Sequence, residues 1–381
     1  MKVLFLSDSC DFKKGKGVVS KSNLGILNEI YGVHSVSVFC LKGMSGKNDF
    51  KMTGNQVFEY QGYQGRYSSL YNLLTLKHNH LSSKIEHEFL KIVDDFDLVF
   101  IDDSNFGRLN RLCAQKNIKN VSFFHNIRRD LSKKWLKYYG FKFLPSYLST
   151  LFNESCAVKF SDITITLNER DASLYQKYYK AQPTTILPVQ IKDSVSHKDV
   201  ASHNTSEEIK KRENKEILFV GADYYPNVEG IKWFIEDVLP ALPNSTLKIV
   251  GFGMEKYKAQ FEEAGQGKVD VVGTVDDLGL YYESASIIIL PIFEGGGMKV
   301  KTAEALMYGS IVVGTKESFV GYEVTNDMFE SNSKDEFLEN IHKAYNLSEE
   351  NNGFSKLNRD VYNRNHDFSK GLERIKEVFL S

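Results

Sequence analysis

Three consecutive glycines, Gly295, Gly296 and Gly297, are followed closely by Lys299, Lys301 and Glu304 in the run GGGMKVKTAEALMYG. Backbone without Cβ atoms lets a ligand approach closely. A helix start behind such a turn directs N–H groups and the positive end of its dipole at the same spot, which suits an anion such as a phosphate. A lysine near a helix start is unfavourable unless a negative group sits there, and this segment carries two. The alternative reading is a pair of solvated lysines beside an exposed, helix-forming glutamate, the commonest residues of a helix surface.

The elements that must hold these residues are legible on either side. Ile287 to Leu290 and Ile311 to Val313 have the length and β-branching of buried strands, and helical spacing separates them. Val300, Ala303 and Met307 share the stripe that should pack on a sheet, Lys301, Glu304 and Tyr308 share another, and Gly309 supplies the stop. The strands ILFVG, LKIVG and VDVVG precede this unit and alternate with helical segments, so the second half reads as a five-stranded doubly wound sheet. Gly221, Gly251 and Gly273 gather at the carboxyl ends of those strands and open that edge for a ligand.

The first half repeats the alternation, with strands at Val3 to Leu6, Val36 to Phe39, Leu98 to Ile101, Val121 to Phe124 and Ile163 to Thr166. Gly15 and Gly17 fall in the first strand-to-helix loop, ahead of a helix expected from about Val18. Their spacing does not make the dinucleotide fingerprint, so an NAD site is rejected. His125 closes a strand at the edge where open sheets take ligands, although a lone histidine after a strand is more often a satisfied structural residue than a catalytic one. Asn168 has the form of a helix N-cap, with Asp171 in the capping-box position. From Arg128 to Phe143, six basic side chains and one acidic one are interleaved with aromatics. That segment suits either an anionic membrane surface or a solvated helix.

The run GGGMKVKTAEALMYGSIVVGT resembles the donor loop and helix of retaining GT-B glycosyltransferases of family four. It is closest to the bacterial capsule, exopolysaccharide and lipopolysaccharide branch that reads GxGxRxKxxEAMxxGxPVV. ILFVGADYYPNVEGIKWFIEDVLPAL and SFFHNIRRD resemble the same family. The resemblance implies a GT-B fold, two doubly wound Rossmann-like domains facing across a cleft. It implies retaining transfer from a nucleoside-diphosphate sugar, UDP or GDP, to a saccharide acceptor, expected to be lipid-linked, in surface polysaccharide synthesis. No metal and no cofactor are implied, the sugar nucleotide being the donor substrate.

By that resemblance Lys301 meets the departing diphosphate, Glu304 the ribose hydroxyls, and His125 the transferred sugar or the acceptor. Gly295, Gly296, Gly297, Met298 and Lys299 form the donor loop, and Gly17 approaches the diphosphate or acceptor. Gly221 and Asn227 follow the first strand of the donor domain, and Gly273, Thr274 and Val275 match the base-recognition segment. Two departures stand out. The Arg and Lys common after that first strand are missing from GADYYPNVEG, leaving Lys299 and Lys301 to supply the charge. The first glutamate of the usual pair falls on Gly296, which puts in question the sugar-hydroxyl role of Glu294, two residues early.

The 381 residues suffice for two domains. Their expected bounds are 1–191, completed by a helix over 365–381, a linker over 192–214 and a donor domain over 215–364. With 42% hydrophobic residues and a formal charge of -1, the chain gives no argument for a nucleic-acid partner. Its four cysteines lack metal-ligand spacing and read as reduced, buried thiols. The opening MKVLFLSDS begins a strand at once, and a cytoplasmic protein resting on the inner face of the plasma membrane is expected. A non-catalytic sugar-nucleotide-binding partner, transfer to a protein acceptor, and another GT-B enzyme such as an epimerase or phosphorylase remain as alternatives.

Overall fold

The computed structural model describes residues 1–12, 15–42, 48–62, 65–78, 80–195 and 215–380. Residues 196–214 of the expected linker lie outside them. The chain divides into two compact units. The first is Met1–Val189 with Gly296–Met298 and the residues from Gly371 on; the second is Gln190–Gly295 with Lys299–Lys370.

In the first unit the strands are β1 (Val3–Ser7), β2 (Val36–Lys42), β3 (Gln56–Gln61), β4 (Leu98–Ile101), β5 (Lys119–Phe124), β6 (Ile163–Thr166) and β7 (Thr185–Ile186). They form one parallel sheet in the order β3-β2-β1-β4-β5-β6-β7. β1 sits between β2 and β4 with Val3 opposite both Val36 and Leu98. Its five residues are all buried, and Val3 to Leu6 read as an unbroken apolar run. Leu4, Leu6, Val99 and Ile101 pack from one face of the sheet against Phe89 and Leu109 of the covering helices.

Two details differ from expectation. The first helix begins at Gly15, not Val18, so Gly17 lies in its opening turn. A Cβ there would come 1.9 Å from the Asp11 carbonyl oxygen, so glycine lets the helix start pack directly on the preceding loop. Cys10 and Cys40 are paired as a disulfide where four reduced thiols were expected, because the loop after β1 folds back onto β2; Cys113 and Cys156 are buried free thiols.

The second unit holds β8 (Lys215–Val220), β9 (Ser245–Val250), β10 (Val269–Gly273), β11 (Ile287–Leu290), β12 (Val312–Gly314) and β13 (Met328–Glu330). These pair in parallel in the order β10-β9-β8-β11-β12-β13. The sheet has six strands, not five: β13 is a three-residue edge strand after a loop, too short to show periodicity. Ile217, Phe219, Leu247, Ile249, Ile287 and Ile289 line its core with Phe234, Phe337 and Ile341.

Within this unit Ile191 is bridged to Asp367. The Ile191 N–H donates to the His366 carbonyl (3.0 Å), and the Ile191 carbonyl accepts from Phe368 N–H (3.1 Å) and the Tyr362 hydroxyl (2.9 Å). No helix among the described residues is long and apolar enough to cross a membrane.

Candidate functional site

The glycine turn leads from β11 into the helix Val300–Met307. Gly295 and Gly297 have φ of +153° and +62°, which L side chains rarely adopt, so the turn needs glycine there. Lys299 takes the N-cap position, and its side chain does not cap the helix. Val300, Ala303 and Met307 are buried as the apolar stripe requires. At the far end Gly309, with φ of +62°, stops the helix, and its N–H reaches the Leu306 carbonyl at 3.0 Å.

Lys301 and Glu304 stand half-buried one turn apart, against the reading of them as solvated surface residues. The Lys301 ammonium donates to Asn227 Oδ1 at 2.7 Å and lies 4.6 Å above the Phe219 ring. Asn227 is itself fixed by its Nδ2 donating to the Ala222 carbonyl at 2.8 Å. Gly221 makes the space, since a Cβ there would come 2.8 Å from Lys301 Nζ. Burial brings the Lys301 pKa down to about 7, with Glu304 opposing the shift and Lys299 adding to it. Burial also raises the Glu304 carboxyl, against the Tyr282 hydroxyl that donates to Oε2 at 3.2 Å and against Lys301. Tyr282 in turn stacks on Tyr308 with centroids 5.0 Å apart.

Lys299 differs from Lys301: its ammonium pairs with Glu317 Oε1 at 2.7 Å, so its charge is neutralised within the protein. Its carbonyl accepts from the Tyr322 hydroxyl at 2.7 Å. Met298 is buried and Glu294 exposed.

The three strand ends interlock through backbone alone. Gly221 N–H donates to the Val250 carbonyl (2.9 Å) and Gly251 N–H to the Gly273 carbonyl (2.8 Å). A Cβ on Gly251 would lie 2.1 Å from the Gly221 carbonyl oxygen. Thr274, exposed past β10, donates its hydroxyl to Glu255 (3.1 Å) and accepts the Gly253 N–H (3.2 Å), and Val275 follows half-buried.

The first unit gathers charge at the carboxyl ends of β1, β4 and β5. His125 is buried, and its Nε2 lies 2.8 Å from the Asp102 carbonyl oxygen. A carbonyl only accepts, so Nε2 carries a proton in this contact. Fully buried Asp102 accepts from Ser7 (3.0 Å), Asn23 (2.9 Å) and Ser20. Asp103 pairs with Lys16 and with Arg128 (2.9 Å); despite burial, those two cations hold its carboxyl well below the usual range.

The local sequence did not reveal this cluster, whose members come from four separate segments. The adjacent aspartates Asp102 and Asp103 after a buried strand were the available signal. The arrangement thus offers two chemistries: in the second unit, a desolvated ammonium and a carboxylate one helical turn apart on one helix; in the first, a paired array of carboxylates and cations beside a buried histidine.

HepE of Anabaena, in its complex with UDP-glucose, superposes with a TM-score of 0.73 at 13% identity, covering 100% of this chain and 99% of that one. WaaG, a glycosyltransferase involved in lipopolysaccharide biosynthesis, does so with a TM-score of 0.69 at 15% identity over 100% of both chains. The fold is GT-B. Residues 214–346 match the family model of the group 1 glycosyl transferases. An uncharacterized glycosyltransferase of Haemophilus influenzae is 25% identical over 254 residues, 64% of this chain. The match spans 61% of that relative's length. The segment matched by the group 1 model contains Gly221, Asn227, Gly273, the glycine turn, Lys301 and Glu304.

Proposed function

We propose that this protein is a retaining glycosyltransferase of family four, moving a sugar from a nucleoside-diphosphate sugar to a saccharide acceptor. The observation that carries this reading is the cluster of Lys301, Asn227 and Glu304, within the segment matched by the group 1 model. UDP-glucose in the Anabaena relative supports a nucleotide-sugar donor.

As the glycosidic bond breaks, the diphosphate gains charge, which the glycine-turn N–H groups and Lys301 stabilise. Glu304 accepts hydrogen bonds from the ribose hydroxyls. The anomeric carbon exchanges its bond to the phosphate oxygen for one to the acceptor oxygen on the same face, and the departing phosphate takes the acceptor's proton. His125 contacts the transferred sugar or the acceptor. Leaving-group charge is met by protein groups, so this step requires no metal. Lys299 contributes positioning more than charge, being paired with Glu317.

A lipid-linked acceptor at the inner face of a membrane, in surface polysaccharide assembly, fits the exposed aromatics of the basic segment. Tyr138 is 77% and Phe141 90% exposed there.

The test is a screen of UDP-, GDP- and ADP-sugars for protection against heat. A donor at a hundred times its Kd adds about 2.7 kcal/mol of stability. Lys301→Ala and Glu304→Ala are each expected to lower turnover by about 10²- to 10³-fold. The Lys301 variant should melt no earlier than the parent, since it removes a desolvated charge. Unchanged turnover in either variant overturns the donor-site assignment. Binding without transfer to any saccharide acceptor would instead favour a non-catalytic sugar-nucleotide-binding partner.

A further inference from the structure

Asp8 follows β1, and His78 and His80 lie between the helices Arg66–Leu74 and Ser83–Ile92. All three are half-buried, and each offers one ligand atom such that the three atoms lie within 4.8 Å of one another. His80 Nδ1 is 3.4 Å from Asp8 Oδ2. That nitrogen is shielded from solvent and makes no hydrogen bond, an unmet cost for a buried polar atom. A tetrahedral cation with bonds of about 2.0–2.2 Å has ligand-to-ligand edges of about 3.3–3.6 Å. The His80 to Asp8 separation therefore fits a chelate edge better than a hydrogen bond.

The surroundings leave this face of Asp8 available. Lys16 holds the other carboxylate oxygen, Oδ1, at 2.6 Å. Lys16 and Arg128 are both paired with Asp103, which offsets one of their two charges beside the site. The His78 ring stands edge-on to buried Phe106 with centroids 5.0 Å apart. Its Nδ1 receives the His80 backbone N–H at 3.4 Å, a long contact that a metal–nitrogen bond outweighs.

We propose that Asp8, His78 and His80 form a three-ligand site for a divalent transition cation of the zinc class, with a fourth position open to water or a ligand oxygen. Two imidazoles and one carboxylate suit such a cation better than magnesium or calcium. The site belongs to the first unit alone and does not depend on the assignment of the donor site. It differs from the metal-free expectation drawn from the cysteines because its ligands are a His-x-His pair and a distant aspartate.

The test uses the full chain without a polyhistidine tag, freed of metal by chelation. Calorimetric titration with zinc chloride should show one tight site per chain, and zinc should raise the melting temperature. Cobalt(II) should give the visible bands of low-coordinate nitrogen and oxygen ligation, which zinc then removes. His78→Ala, His80→Ala and Asp8→Asn should each weaken zinc binding by about 100-fold and abolish the cobalt bands. His342→Ala, on an exposed helix position, should bind as the parent does.

Absence of a tight site, variants that bind like the parent, or loss of the site in His342→Ala would each overturn the proposal. Should a variant fail to fold, the cobalt spectrum of the unaltered protein still decides: octahedral, oxygen-only bands would equally overturn it.

Discussion

Lys301 is ordinary in sequence and unusual in place. With its pKa at about 7, only about one in ten copies carries a charge at pH 8. A bound diphosphate restores the proton, so donor binding at pH 8 should take up nearly one proton per site. Calorimetry of UDP binding in buffers of different ionisation enthalpy measures this, and Lys301→Met should show no such uptake. The sign for stability follows: the unfolded lysine keeps its pKa near 10.5, so between about 7 and 10.5 the unfolded chain binds more protons. The contribution of this lysine to stability therefore rises with pH through that window, and its full penalty is present below about pH 7. Lys301 and Glu304 were legible because one helix spaces them. Asp8, His78, His80, Asp102 and Asp103 were not, because folding alone joins strand ends and a distant connection.

At the scale of elements, the central strands and the cap at Asn168 could be read directly. The Asn168 side chain accepts the Asp171 N–H at 2.9 Å, as the local spacing requires. The helix Arg128–Tyr139 shows where local rules stop. Its first N–H groups, from Arg128 and Arg129, each donate at 2.8 Å to Glu154, which lies on a different helix. No window around residue 128 contains that cap. Edge strands escaped for another reason: β3 is partly exposed along its length and lacks a buried strand's apolar run. Close helix packing was equally hidden. A Cβ on Gly107 would lie 1.8 Å from the Asn153 carbonyl oxygen and 2.5 Å from Ala157 N. Gly107→Ala should force apart the helices Gly107–Gln115 and Leu144–Phe160 and lower stability by about 1–3 kcal/mol. Chemical denaturation would measure this, and a loss under half a kcal/mol, about the scatter for a neutral surface change, would contradict the packing.

For the molecule as a whole, the alternation of strands and helices sufficed to foresee two parallel sheets, while strand order required the folded chain. The surface also carries information. Tyr139 is 59% and Leu148 44% exposed beside Tyr138 and Phe141, and Tyr67 and Tyr71 of the helix Arg66–Leu74 are 93% and 62% exposed. Sedimentation with anionic vesicles at low salt should carry the protein down, and Phe141→Ser with Lys137→Glu should release it. Equal sedimentation of that variant would remove the segment 128–143 as a membrane contact.

The return of the chain at Gly371 to the first unit, where Phe379 lies 6.5 Å from Phe100, bears on biosynthesis. A ribosome releases the second unit's residues before the last piece of the first unit emerges. The earliest-made sheet therefore lacks the Phe379 contact with Phe100 until the residues after Gly371 have been made. Stop codons shortly before Gly371 should yield chains that chaperones retain and proteases remove, although every residue of the donor cluster has already been made.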